Sequence, residues 1–182
     1  MLFRSYFARI EYSGEAATDL AKPDFATLSA IHFAHATHIP FENLDVLLKR
    51  PIRLDSPSLQ AKLIDARRGG YCFEQNALLA TALETIGFPV KRLAARVLIG
   101  TDPRPRTHMM LIVTAEGEPW LADVGFGGAG LLRPIRFRVD EVADCFGWKY
   151  RIGAAGAHYL LQTQQLGEWQ DLYTFKIGRA HV

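Results

Sequence analysis

Two cysteines occur among the 182 residues, Cys72 and Cys145, and only the first stands where a thiol can become a reagent. Cys72 lies in the run Arg67-Arg68-Gly69-Gly70-Tyr71-Cys72-Phe73-Glu74-Gln75-Asn76. Paired glycines allow the backbone to turn tightly into a helix. The thiol then falls on the first helical positions. Unsatisfied N–H groups and the positive end of the helix dipole favour a thiolate there, and neighbouring Arg68 adds positive charge. A buried structural cysteine after a turn is the plain alternative. A thiol nucleophile needs a base, and the base needs an acceptor to orient it. His108 opens the apolar run Met109–Val113, and Asp123 closes the run Trp120–Asp123. If these two runs form a hairpin, the start of one lies beside the end of the other, and His108 and Asp123 share one sheet edge. Taken singly, each is ordinary: a half-buried strand histidine, and a turn aspartate before Gly125. The ordered trio of Cys, His and Asp is the chemical signal.

The remaining polar and sulfur residues carry weaker signals. Val124-Gly125-Phe126-Gly127-Gly128 follows Asp123, and backbone N–H groups of such a loop can face a phosphate or an oxyanion. A tight turn explains the same glycines. His32, His35 and His38 recur every third residue, with no Cys or Asp partner at ligand spacing, so no metal site is expected. They read as helix-surface or pocket-edge histidines. Cys145 follows no helix start and has no base nearby, so it reads as structural. Trp120, Trp148 and Trp169 read as strand core residues.

The elements that must position the trio fall into two halves. Met1–Ile10 reads as a short amphipathic helix, with Leu2, Phe3 and Tyr6 on one side. Asp24 caps a helix whose apolar stripe includes Phe25, Leu28, Ile31 and Phe33, ended by Ile39-Pro40. Ser56-Pro57 predicts an N-cap with proline at the first helical position, opening a helix through Leu59, Leu63 and Ile64 that stops at Gly69-Gly70. A further helix is predicted from Cys72 to Ile86, stopped by Gly87 and Pro89. Short β-rich runs follow at Leu93–Ile99, His108–Thr114, Trp120–Val124, Lys149–Ile152, His158–Thr163 and Trp169–Phe175, with turns at Gly153–Gly156 and Gly167. Helices first and strands afterwards predict an α+β fold: a helical bundle over residues 1–89 carrying the nucleophile, then an antiparallel β-barrel or sheet over 90–176 carrying His108 and Asp123.

Composition narrows the function classes. Hydrophobic residues make up 49% and charged residues 22%, which excludes a disordered tail and a disulfide scaffold. The net charge of +2 comes without a dense Lys/Arg cluster, which argues against an electrostatic nucleic-acid binder. No apolar window is long enough to span a membrane, and Arg4 and Arg9 interrupt any signal-peptide core. A cytoplasmic protein with reduced thiols is expected.

At this point the motifs converge on a known family. Arg68–Asn76 resembles the cysteine motif of the arylamine N-acetyltransferases. Thr107-His108 and Leu121–Gly127 resemble that family's histidine and aspartate motifs, and Ile39-Pro40-Phe41-Glu42-Asn43-Leu44-Asp45 resembles an N-terminal motif of its bacterial members. The resemblance runs from Tyr6 to Phe175. It implies a cysteine-protease-like core with Cys72, His108 and Asp123 as catalytic triad and Arg68 in support. It implies a two-step exchange: Cys72 takes an acetyl group from acetyl-CoA, and an arylamine, arylhydrazine or similar acceptor removes it. His108 would serve as acid and base, and Asp123 would hold the imidazole. Gly125, Phe126, Gly127 and Gly128 would contact CoA, and Phe41, Phe73, Val97 and Phe126 would line the acceptor pocket. No metal, nucleic acid or membrane partner is implied. An amide synthase acting on other acyl groups, a thiol hydrolase with the same residue order, and an inactive fragment are the alternatives. Family members continue into a third α/β segment, which is missing here. The ending Lys176–Val182 lacks strand alternation and is similar to a translated sequencing adapter, so 177–182 is read as a non-native tail.

Overall fold

A computed structural model describes residues 2–13, 22–98 and 105–178. Helix α1 spans Leu2–Arg9, and the apolar residues it and its end bury are Tyr6, Phe7 and Ile10. The side chains of Leu2 and Phe3 lie outside the described residues. Helix α2 spans Phe25–His38, and the Asp24 carboxylate caps it by accepting the Thr27 N–H at 2.8 Å. Its core stripe is Leu28, Ile31, His32 and His35. Phe33 points the other way, exposed and 5.1 Å from the Phe146 ring, so its expected place on the buried stripe is corrected.

A short helix α3, Leu44–Leu47, follows the Pro40 segment. Helix α4, Ser56–Leu59, starts one residue earlier than Ser56-Pro57 suggested. Its cap is Asp55, whose carboxylate accepts the Ser58 N–H at 3.1 Å, a stronger cap than a serine hydroxyl because it carries charge. The chain then widens into one π turn over Gln60–Asp65 and ends at Ala66, before the predicted Gly69-Gly70 stop. Arg9 accounts for the carbonyls left there: its buried guanidinium donates to Leu63 O at 2.9 Å. Helix α5 spans Cys72–Ile86 and stops at Gly87, whose left-handed φ of 106° suits glycine.

Eight strands form one antiparallel sheet: β1 Val90–Val97, β2 His108–Ala115, β3 Glu118–Ala122, β4 Ile135–Arg136, β5 Ala143–Cys145, β6 Trp148–Ala155, β7 His158–Gln165 and β8 Glu168–Phe175. Their order across the sheet is β4-β3-β2-β1-β8-β7-β6-β5. After β4 the chain returns to the far side, where Val139 bridges Ile152 of β6, so the sheet is nearly closed. Two-residue turns with both residues at positive φ, Glu116-Gly117, Phe146-Gly147 and Leu166-Gly167, match the strand twist. Gly153 is no turn. It sits within β6, where a Cβ would meet the Gln162 amide at 3.0 Å.

Strand β2 explains why nearly every residue of His108–Ala115 is buried. Met109, Leu111 and Val113 pack with Leu28, Ile31, Leu79 and Leu83 of the helices. Met110 and Ile112 face the sheet interior with Leu93, Leu121, Tyr173 and Phe175. A strand with cores on both faces reads as a continuous apolar run rather than an alternating one. Of the tryptophans, Trp120 stacks on Phe25 with ring centroids 3.9 Å apart, and Trp169 is half-buried beneath the Arg151 guanidinium at 4.3 Å. Trp148 is 48% exposed, so its expected core placement is corrected.

Candidate active site

Cys72 is the first residue of α5, and the strand-like segment before it is what aims the thiol. Gly70 bridges Phe41 in parallel, and the Glu42 N–H donates to Gly70 O at 2.9 Å. Gly69 and Gly70 are needed here for space. A Cβ on Gly69 would overlap the Pro40 carbonyl oxygen, and one on Gly70 would lie 2.9 Å from Leu63 Cδ2. Glu74 caps the helix by accepting the Tyr71 N–H at 3.1 Å. Its carboxylate also takes Lys62 Nζ at 2.8 Å, and Lys62 reaches Asp45 at 2.9 Å. Arg68 pairs with Glu42 and, at 3.0 Å, with Asp45. Its charge is therefore answered by two carboxylates, and these ion pairs fasten the Pro40–Asp45 segment to the turn before α5.

The sheet brings the other two residues to the same place. β2 and β3 pair so that Leu111 faces Ala122, which sets the start of one beside the end of the other. His108 Nε2 meets Asp123 Oδ2 at 2.6 Å, with both side chains buried. Cys72 Sγ donates to Thr107 O at 3.4 Å, and the thiol lies near enough to the His108 imidazole to favour its charged form. Burial opposes the imidazolium, but the Asp123 charge and hydrogen bond, together with Cys72, outweigh it and push the His108 pKa up to about 10. Burial likewise opposes the Asp123 carboxylate, and His108, Asn76 and the Gly125 N–H reverse that, holding its pKa below the ordinary value.

Asn76 ties helix to sheet at this point. One turn beyond Cys72, it donates to Met109 O at 2.7 Å and to Asp123 Oδ1 at 2.9 Å, and it accepts the Val124 N–H at 3.1 Å. Gly125 N–H donates to the same Oδ1 at 2.9 Å. That N–H is thereby used to orient Asp123, so the expectation that it faces an oxyanion or phosphate is corrected. Gly125 also touches the helix: a Cβ there would lie 2.6 Å from Cys72 Cα. Gln75 performs the same service for the Pro40 segment. Its amide donates to Pro40 O at 2.9 Å, and its Oε1 meets His35 Nε2 at 2.7 Å, while Tyr6 OH meets His35 Nδ1 at 2.9 Å.

Next to the thiol lies a cavity of about 420 Å³. Phe41, Val97, Phe126, Gly125 and Gly128 line it with Cys72 and His108. Phe126 stands edge-on to the His108 ring at 5.2 Å. Phe73 is not in this lining. It packs against the helix core and lies 5.4 Å from the Tyr71 ring, because the helix turns its side chain away from the cleft. Gly127 lies in a neighbouring cavity, against the Phe41 ring. His32 and His35 are fully buried, not at the surface, and only His38 reaches solvent. Cys145 is buried beside that neighbouring cavity, and burial raises its thiol pKa to about 11. Among the described residues no group of three or more His, Cys, Asp or Glu could hold a metal ion. No helix among them is long and apolar enough to cross a membrane.

The arylamine N-acetyltransferase of Escherichia coli K12 is 46% identical over 178 residues, 97% of this chain and 62% of its own length. A family model described as N-acetyltransferase matches residues 24–181. The chain belongs to the arylamine N-acetyltransferase family. Among solved members, the Salmonella typhimurium enzyme superposes with a TM-score of 0.91 at 41% identity, covering 99% of this chain and 65% of that one. A Mycobacterium marinum arylamine N-acetyltransferase in complex with CoA gives 0.87 at 37% identity, covering 96% and 65%. The chain thus spans about three fifths of the length of the family members it matches. The fold class stands as an α+β arrangement with a nearly closed antiparallel sheet.

Proposed function

We propose that this chain carries the catalytic centre of an arylamine N-acetyltransferase, with Cys72 as nucleophile, His108 as acid and base, and Asp123 as the group that orients and charges the imidazole. The observation that supports it best is the 2.6 Å bond between buried His108 and Asp123 beside a thiol at a helix start, opening on an apolar cavity. Nε2 of His108 is engaged by Asp123, which leaves Nδ1 for the thiol proton. In the first half-reaction Sγ attacks the thioester carbonyl of acetyl-CoA. The new S–C bond forms, the bond to the CoA sulfur breaks, and the imidazolium returns its proton to the leaving thiolate. In the second, an amine nitrogen attacks the acetyl-cysteine, the S–C bond breaks, and the amine proton passes to His108 and on to the cysteine. Two easier transfers replace one hard one. Phe41, Val97 and Phe126 give the acceptor an apolar slot suited to a flat aromatic ring. Gly125, Gly128 and Phe126 border the same space, which suits a thioester arm entering past them. In this reading residues 1–89 supply the nucleophile and 90–176 the base and its partner.

The test is intact-mass analysis after incubation with acetyl-CoA, using Cys72→Ala as control, followed by addition of an aniline. A single acetyl adduct on Cys72, discharged by the amine with appearance of the acetanilide, is expected. Folded protein that takes no adduct overturns the proposal. Discharge to acetate with no amide formed overturns the acceptor assignment.

A further inference from the structure

Helix α2 sends one buried histidine to the back of the site, and the chemistry above makes no use of it. His32 has no exposed surface, and its Nε2 accepts the main-chain N–H of Asp123 at 3.1 Å. Asp123 lies just beyond the last paired residue of β3, so this bond takes over where the sheet ladder ends. Because Nε2 accepts, the ring proton must sit on Nδ1. Nδ1 faces the Leu132 backbone without a well-formed hydrogen bond. Burial lowers the His32 pKa to about 4, more than the Asp123 charge raises it, so the ring is neutral at neutral pH and keeps its acceptor lone pair.

The groups around Asp123 divide the work. Oδ1 takes Asn76 from α5 and the Gly125 N–H, and Oδ2 takes His108 from β2. The Tyr173 phenol of β8 also faces the carboxylate. His108 is faced in turn by Cys72 and by the Tyr173 ring at 4.9 Å, and His32 by Asp123 and His35. The side chain of Asp123 is thus held from the front, and its main chain from behind by His32. Rotation of that peptide would swing the carboxylate off His108 and push Gly125 into Cys72.

We infer that His32 is a positioning residue: as a neutral acceptor on the Asp123 main-chain N–H, it sets the carboxylate that pairs with His108 and through it the reactivity of Cys72. The inference rests on the reading of Cys72 as a nucleophile activated by His108. His32→Phe keeps the ring volume and loses the acceptor. His32→Asn is too short to reach Asp123. His32→Gln places an oxygen near the position of Nε2.

Alkylation of Cys72 by iodoacetamide, located by peptide mass, reads reactivity without requiring turnover. At pH 7 the rate constant is expected to fall about tenfold in His32→Phe and His32→Asn, the size of one unit in an acid–base equilibrium. His32→Gln is expected to stay within about threefold of the parent on the same scale. The His108 titration, followed by NMR, is expected to move down in the first two variants and to recover in the third. A role limited to packing would lower the melting temperature and leave that titration in place. Folded Phe or Asn variants with parent-like alkylation and titration overturn the inference, as does a Gln variant as slow as the Phe one. Nitrogen NMR of the parent protein needs no variant: it should show His32 protonated on Nδ1, with a coupling from Nε2 to the Asp123 amide, and an Nε2–H tautomer overturns the inference. If parent Cys72 alkylates no faster than a cysteine in a short peptide, the nucleophile reading fails, and that outcome is separate from any effect of His32.

Discussion

Replacing Gly125 by alanine inserts one carbon into the contact between the two halves of the site. The new Cβ would stand 2.6 Å from Cys72 Cα, 2.8 Å from Asn76 Nδ2 and 3.0 Å from Cys72 O. Two of these atoms belong to the backbone at the start of α5, so no side chain can swing aside to make room. Reaching a normal separation requires the loop and the helix to part by at least about 0.8 Å, the gap between 2.6 Å and the 3.4 Å at which ordinary contact begins. Overpacking of this kind costs about 1–3 kcal/mol. The alanine restricts the unfolded chain and returns about 0.4–1 kcal/mol. A net loss of about 0–2.6 kcal/mol, centred on about 1.3 kcal/mol, follows from those two effects. The same displacement draws the Gly125 N–H and Asn76 away from Asp123 Oδ1, so Cys72 should lose reactivity with stability. Misplacement of reacting groups by 1 Å costs up to about a hundredfold in rate, and a tenfold slower alkylation by iodoacetamide is expected here. Urea unfolding followed by circular dichroism measures the first quantity, and peptide-mapped alkylation at pH 7 the second. A variant within about 0.5 kcal/mol of the parent, the usual range for a surface change, and alkylated at the parent rate would refute the claim that this glycine locks helix to sheet.

Three further outcomes follow from the same geometry. Stability should fall on both sides of neutrality: the His108 contribution is complete below its ordinary pKa of 6.5 and is lost as the pH rises through about 10, while the depressed Asp123 contributes above 3.8 and is lost as the pH falls through its lowered value. Urea midpoints across pH should show this plateau, and Asp123→Asn should flatten the alkaline side. Gln75→Leu should cost about 1–3 kcal/mol in urea unfolding, because it removes the buried partner of His35 Nε2 and of the Ile39 carbonyl. Arg68→Ala should lower the melting temperature by loosening the Glu42 and Asp45 contacts while leaving Cys72 alkylation within about threefold, less than half a unit of acid–base equilibrium; a tenfold drop would restore a direct role at the thiol.

The three residues proposed to react are legible because each stands at the boundary of an element. Cys72 opens a helix marked by glycines, His108 opens a strand, and Asp123 follows one. Residues that brace them from inside elements were harder to read. His32 and His35 read as helix-surface or pocket-edge residues by their polarity and by the regular spacing with His38. Yet Leu28, His32, His35 and Ile39 repeat at helical intervals and form one buried stripe, a signal that periodicity carries whatever the residue type. Asn76 and Gln75 were visible only as part of a motif, since nothing in their chemistry distinguishes a strand-tying amide from a solvated one. Strands β4 and β5 have two and three residues, too few to show alternation. Gly153 and Phe33 misled in opposite ways, one a glycine inside a strand and the other a phenylalanine facing solvent.

The contact of Gly125 with Cys72 joins residues 53 positions apart in the chain, one from the helical half and one from the sheet. Neither half holds the whole reactive constellation, so the thiol reports on their docking. In a refolding experiment Cys72 should become quickly alkylated only when β2 and β3 have settled on α5, later than helix formation itself. The same interlock governs recombination between relatives. A crossover placed between α5 and β1 exchanges Cys72 and Asn76 against a foreign Asp123–Gly125 turn, and such chimeras should survive only where that turn remains free of a Cβ.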